Sequence, residues 1–204
     1  IVKVQATESY GAKVIQFGEV YDEAKSHAQE LAEKEGLVFV HPFEDPLVIA
    51  GQGTIGLEIV EQLPDVDSVI VAIGGGGLIS GISKVVKDKK PDCKVYGVVS
   101  ESFPGMERLS KGKEQPTSFP SGTIADGIAV KSPSQTMFQS FISKQVDEVA
   151  SIADDEVAMA IVYLLERTKT VVEGSGAISL AAAAQAQKLG WDLGKKCCVV
   201  LCGG

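Results

Sequence analysis

Residues 68–73 (SVIVAI) form a near-continuous apolar run, Gly74, Gly75, Gly76 and Gly77 follow it, and a helix-forming stretch begins at Leu78. No other feature restricts the fold as strongly. Such a run reads as a strand covered on both faces, the habit of parallel sheets. Four successive glycines are costly, because each loses more backbone freedom on folding than a residue with a side chain. What offsets this is close approach. Bare N–H groups can turn together toward one anion, and the positive end of the following helix adds to their field. A strand-to-helix turn alone needs only two glycines. The segment is therefore read as a phosphate cradle.

The kind of phosphate is narrowed by what the flanks lack. A dinucleotide fingerprint expects an acidic residue near the end of the second strand. Here that strand closes as Gly97-Val98-Val99, with Glu101 just beyond. A Walker A loop continues Gly-Lys-Ser/Thr, whereas this one continues Gly77-Leu78-Ile79. A mononucleotide-like or single-phosphate ligand fits better.

Short apolar runs alternate with amphipathic helices along the chain, which predicts an α/β fold with a mostly parallel sheet flanked by helices. Strands are expected at residues 11–17 (GAKVIQF), 37–40, 68–73, 94–99 and 197–202. Helices are expected at residues 22–35, 54–63, 78–88, 134–144 and 177–189, with a further helix capped by Asp154 or Asp155. Residues 42–46 (PFEDP) carry two prolines and read as a crossing between lobes, while residues 100–130 read as long and mostly irregular.

The net charge of −8 argues against nucleic acid as a partner, and no apolar stretch is long enough to span a bilayer. The spacing of Cys93, Cys197, Cys198 and Cys202 matches no zinc pattern, so they are expected to be buried reduced thiols in a cytoplasmic protein. As strand neighbours, Cys197 and Cys198 should face opposite sides. His41, before Pro42, reads as structural.

Five motifs then occur in order: Gly51-Gln-Gly-Thr-Ile-Gly-Leu-Glu, Gly74-Gly-Gly-Gly-Leu, Thr123-Ile-Ala-Asp-Gly, Glu173-Gly-Ser-Gly-Ala and Leu201-Cys-Gly-Gly. Together they resemble the threonine/serine dehydratase family of fold type II pyridoxal-phosphate enzymes, which also includes serine racemases. Val98-Val-Ser-Glu-Ser is most similar to the short catabolic threonine dehydratases. The resemblance covers nearly the whole chain. It implies residues 1–43 as the rear of a small domain and residues 44–204 as most of a large cofactor domain. It implies pyridoxal 5′-phosphate as cofactor, with its phosphate on Gly74, Gly75, Gly76, Gly77 and Leu78. Gly127 would lie beside the ring, Glu173 at its edge, and Cys202 opposite the pyridine nitrogen. A neutral thiol there leaves the nitrogen largely unprotonated and suits β-elimination. Read without the family, Glu173 is a carboxylate favoured at a helix N-terminus, and Cys202 is one more buried cysteine.

The resemblance further implies an amino-acid substrate, a homodimer or homotetramer, and a nucleotide effector near Tyr10 and Lys169. Without the family, those two read as a packed tyrosine and a solvated lysine. Val99 and Gly105 stand where cation-binding relatives carry carboxylates, so no metal site is expected. The family's Schiff-base lysine lies in a Ser-Phe-Lys motif. No lysine here follows Ser-Phe, and the nearest look-alike is Phe141-Ile-Ser-Lys144. The family's Ser-x-Gly-Asn loop and the asparagine after the final Gly-Gly are also missing. The expectation is a C-terminal portion of a longer β-eliminase, inactive alone. In the intact enzyme threonine would give 2-oxobutanoate and ammonia, and serine would give pyruvate. Serine racemisation is the alternative within the family. A lysine-less module binding a phosphate or nucleotide as a regulator, or a nicotinamide oxidoreductase, are the alternatives outside it.

Overall fold

The apolar run becomes strand β1 (Ser68–Ala72), and every residue in it is buried. A computed structural model describes residues 2–18, 21–120 and 122–204 of the protein. Three strands join β1 in a parallel sheet: β2 (Lys94–Ser100), β3 (Glu148–Ile152) and β4 (Cys197–Val199), in the order β3-β2-β1-β4. The helices are α1 (Val2–Ser9), α2 (Tyr21–Glu35), α3 (Pro46–Gln62), α4 (Gly77–Lys89), α5 (Gly105–Ser110), α6 (Gln135–Met137), α7 (Ser143–Gln145), α8 (Asp154–Thr168), α9 (Gly174–Ala184) and α10 (Ala186–Leu189). A π-helical turn, Phe138–Ile142, joins α6 to α7, and a 3-10 turn covers Asp126–Ile128.

The chain divides into two units, Ile1–His41 and Pro42–Gly204. The first contains α1 and α2. The second contains the sheet. Successive side chains of a strand point to opposite faces, and the two faces of β1 have different partners. Val69 and Val71 pack with Ile79, Ile82 and Val86 of α4 and Ile59 of α3. Ile70 and Ala72 pack with Val157 and Leu164 of α8 and Ala177, Ile178 and Ala181 of α9. Truncating a fully buried isoleucine such as Ile70 or Ile82 to alanine should cost about 2–5 kcal/mol.

These two layers set where a ligand can sit. The link from β1 to β2 crosses one face through α4, and the link from β3 to β4 crosses the other through α8 and α9. β1 and β4 are neighbours, and the connection that leaves β1 and the one that reaches β4 lie on opposite faces of the sheet. The crevice beyond their carboxyl ends is a topological switch point, the usual ligand position in open α/β sheets.

Several sequence expectations are corrected. Residues 11–17 and 37–40 form no strand. Leu37, Val38 and Val40 are exposed, and an apolar run is held as a strand only where another strand pairs with it. β3 was not anticipated. Its burial alternates incompletely, with Glu148 exposed and Ser151 half-buried among apolar neighbours. The expected crossing at residues 42–46 already contains the start of α3. There Asp45 is the N-cap, accepting from the Leu47 N–H at 2.7 Å, and Pro46 opens the first turn. The stretch at residues 100–130 is mostly irregular as expected, apart from α5 and the 3-10 turn.

The cysteines are all free, but only Cys93 is buried; Cys197 and Cys198 are half-buried and Cys202 is exposed. As expected, Cys197 and Cys198 face opposite ways, one packing with each core. Burial pushes the Cys93 thiol up from 9.0 to about 11. A thiol held protonated in the folded state gives up stability as pH rises from its unfolded value toward its folded one. Stability should therefore fall between about pH 9 and pH 11 by up to ~2–3 kcal/mol from this group. Urea unfolding at pH 8 and pH 10.5 checks this. Cys93→Ala should flatten the decline, and an equal decline in both proteins would count against the assignment.

Candidate functional site

The crevice at the switch point is a cleft of about 670 Å³, within the range of small-molecule sites. The structure brings Gly74, Gly75, Gly76, Gly77, Leu78, Gly127, Glu173 and Cys202 together around it, with Phe43, Ile128 and Ser175.

Its floor is the glycine loop. Gly76 is the N-cap of α4 at φ 102°, a backbone conformation that L side chains rarely adopt. Gly77 and Leu78 occupy the first turn, whose N–H groups have no intrahelical acceptor. Gly75 and Gly77 are bare for a second reason: a Cβ on either would collide with Phe43. The glycine run therefore lets Phe43 close over one side of the loop as well as exposing amides.

The opposite wall comes from the start of α9. Glu173 is its N-cap, but its side chain makes no capping hydrogen bond. The carboxylate instead lies against Gly203, and its Oε1 is 3.5 Å from where a Cβ on Gly127 would stand. The Glu173 backbone N–H donates to the Gly203 carbonyl at 3.1 Å, which ties α9 to the chain after β4. Cys202 donates its thiol to the Ser175 carbonyl at 3.5 Å. Although the residue is partly open to solvent, desolvation around its sulfur pushes that thiol above its ordinary value, and the nearby Glu173 carboxylate adds to the effect. Cys202 is therefore a neutral thiol at neutral pH.

Ser175 was not singled out from the sequence. It is 2% exposed, lines the cleft, and its Oγ has no hydrogen-bond partner among the described residues. The oxygen stands 2.8 Å from the Cβ position of Gly127. A buried hydroxyl without a partner is costly, and a polar atom placed in the cleft beside this one would satisfy it. The only sequence signal was its place in Glu173-Gly-Ser-Gly.

Tyr10 and Lys169, expected at a nucleotide-effector site rather than at the cofactor, belong to different units. Lys169 does not line the cleft; it closes α8 in the left-handed region at φ 59°, and its Nζ donates to the Glu166 carbonyl at 2.6 Å. Tyr10 belongs to the N-terminal unit and is 90% exposed. Val99 is buried in the core below the cleft. Among the described residues no three His, Cys, Asp or Glu side chains are grouped to hold a metal ion, and no helix is long and apolar enough to cross a membrane.

The family model described as pyridoxal-phosphate dependent enzyme matches residues 1–203. The chain belongs to that family. The L-threonine ammonia-lyase of Thermotoga maritima is 48% identical over 204 residues, covering 99% of this chain and 49% of that protein. The catabolic L-threonine dehydratase TdcB of Escherichia coli K12 is 40% identical over 202 residues, covering 99% of this chain and 61% of that protein. The crystal structure of the T.th. threonine deaminase superposes with a TM-score of 0.90 at 33% identity, over 100% of this chain and 67% of that one. Maize serine racemase superposes with a TM-score of 0.91 at 30% identity, over 100% and 64%. The fold is that of the fold type II pyridoxal-phosphate enzymes. The chain spans about half to three-fifths of the length of these curated relatives.

The cleft fits the family's cofactor on its own chemistry. The glycine loop offers first-turn amides beside the cleft, with Phe43 closing one side of the loop. Ser175 offers an unsatisfied hydroxyl, and Cys202 a neutral thiol, on the opposite wall. A phosphorylated, uncharged aromatic heterocycle is a ligand that uses all three.

Proposed function

We propose that this chain is the cofactor-cradling part of an ammonia-lyase that converts L-threonine to 2-oxobutanoate and ammonia, and L-serine to pyruvate. The observation that carries this is the convergence of glycine loop, Gly127, Glu173, Ser175 and Cys202 on one switch-point cleft. The 48% identity to an L-threonine ammonia-lyase across nearly the whole chain supports the choice of substrate.

In this reading Gly74, Gly75, Gly76, Gly77 and Leu78 hold the phosphate through backbone N–H groups and the positive end of α4. Gly127 would lie beside the ring, and its missing side chain leaves room for Ser175. Glu173 stands at the ring edge. Cys202, a neutral thiol, would face the ring nitrogen and would leave it unprotonated. When bound, pyridoxal phosphate supplies the electron-withdrawing system that lets the α-proton and then the β-hydroxyl leave. A ring nitrogen left neutral withdraws less strongly and favours departure of the β-group. Residues 44–204 serve as the cofactor domain and residues 1–43 as part of the small domain. These 204 residues contain no Ser-Phe-Lys, so by themselves they are expected to be inactive.

The test is release of 2-oxo acid from L-threonine and L-serine by the intact protein, followed with a carbonyl reagent. Release from threonine, absent in the isolated 204-residue chain, is the expected result. Formation of D-serine without 2-oxo acid would instead favour racemisation, which the similarity to maize serine racemase makes the second reading. No product from either amino acid would overturn the proposal.

A further inference from the structure

Asp154 opens α8 but does not cap it, since Ala153 occupies the N-cap. Its carboxylate reaches the segment after residue 122 instead. Oδ1 accepts from the Thr123 hydroxyl, and Oδ2 accepts from the Ile124 N–H at 3.1 Å. The Thr123 oxygen in turn accepts from the Ser100 hydroxyl at 3.0 Å and from the Ala125 N–H at 3.2 Å. Ser100 is the last residue of β2 and fully buried, and its oxygen also accepts from the Ser102 N–H at 3.2 Å. One carboxylate beyond β3 and one hydroxyl at the end of β2 thus grip residues 123–125.

That grip sits two residues from the cleft. The strap runs on through buried Ala125 to Gly127 and Ile128, which line the cleft. On one side a Cβ on Gly74 would stand 3.5 Å from the Gly127 carbonyl oxygen and 3.4 Å from Ile128 Cα. On the other side Gly127 faces Ser175 and Glu173. The Ile124 carbonyl packs directly on Gly174, at the start of α9. A shift of the strap by a fraction of an ångström would change the width of the cleft at the ring position, because each neighbour is already in contact.

We propose that Asp154, acting through Thr123, is a positioning residue that fixes the width of the cofactor cleft by holding the Gly127 strap against the ends of the sheet. The bonds to a carboxylate are charge-assisted and hence the strong ones of the set. This rests on the reading of the cleft as the pyridoxal-phosphate site. Asp154 does not itself line the cleft.

Two measurements on the intact protein separate that reading from the proposal. The first is amide hydrogen exchange in the cofactor-free protein, which does not depend on what the cleft binds. Asp154→Ala and Thr123→Val should each speed exchange at Ile124 and Ala125 about tenfold while leaving β1 amides unchanged. Thr123→Ser, which keeps the hydroxyl, should behave as wild type, and so should Asp155→Ala, which removes a neighbouring charge from the same helix turn. The second is titration with pyridoxal phosphate, read by its absorbance. Asp154→Ala and Thr123→Val should bind about tenfold more weakly, and Thr123→Ser should match wild type. If Asp154→Ala fails to fold, the Thr123→Val and Thr123→Ser pair carries the comparison. Equal strap exchange in Thr123→Val and Thr123→Ser, or unchanged affinity in Thr123→Val, would overturn the positioning role. A wild-type protein that binds no pyridoxal phosphate would overturn the cofactor reading instead, and the exchange contrast would still decide whether the strap is held as described.

Discussion

Replacing Gly76 by alanine is expected to weaken pyridoxal-phosphate binding roughly thirty-fold and to lower the melting temperature of the cofactor-free protein by about 4–8 °C. Two costs act at that one position. An L residue at φ 102° is strained by about 1–2 kcal/mol. The added Cβ would also stand 3.2 Å from both Met137 Cβ and Ile142 Cδ1. Both neighbours are 1% exposed and have little room to yield, so overpacking adds about 1–3 kcal/mol. If the loop keeps its shape, the strain appears as lost stability. If it relaxes, the first-turn amides of α4 rotate away from the cleft and the strain appears as lost affinity. Both are expected in part.

Gly112→Ala separates strain from function. Gly112 also has a positive φ, 61°, but a Cβ there would meet nothing within 4 Å. That variant should lose about 1 kcal/mol of stability and none of its cofactor affinity. Calorimetry with a pyridoxal-phosphate titration checks both variants. Wild-type affinity in Gly76→Ala would remove the loop from the cofactor site.

The glycine loop was legible because its signals are local. A buried run, four glycines and a helix start are consecutive in the chain, and β1, α4 and β2 follow within two or three residues of where the apolar pattern puts them. The same logic misfired at residues 11–17 and 37–40. Their apolar runs resemble SVIVAI, but whether a run becomes a strand depends on a partner that local pattern does not reveal. β3 was missed for the converse reason. Its polar Glu148 and Ser151 hide a strand whose identity comes from pairing with β2, Tyr96 opposite Glu148 and Ser100 opposite Ile152. Asp154 shows the limit most clearly. An acidic residue before a helix reads as a cap, and only the folded chain brings it 30 residues back to Thr123 and Ile124.

Ser175→Ala should move stability and affinity in opposite directions. Among the described residues the Ser175 hydroxyl is buried without a partner, a condition that costs about 1–3 kcal/mol. Its removal should raise the melting temperature by roughly 2–4 °C, taking about 1 kcal/mol as the gain. If that hydroxyl meets a polar atom of the cofactor, its loss should weaken pyridoxal-phosphate binding about tenfold. Ser179 is the matched control. It lies on the same helix, is fully buried, and its Oγ also lacks a partner, but it does not line the cleft. Ser179→Ala should therefore stabilise the protein to a similar degree and leave the affinity alone. A gain in stability with unchanged affinity in both variants would make Ser175 a packing residue. A loss of stability in Ser175→Ala would mean that the hydroxyl already has a partner before the cofactor arrives, such as a buried water. Opposed signs at Ser175, with a gain alone at Ser179, are what a polar group held in readiness for a ligand produces, because stability given up in the empty cleft returns as affinity only where the ligand reaches.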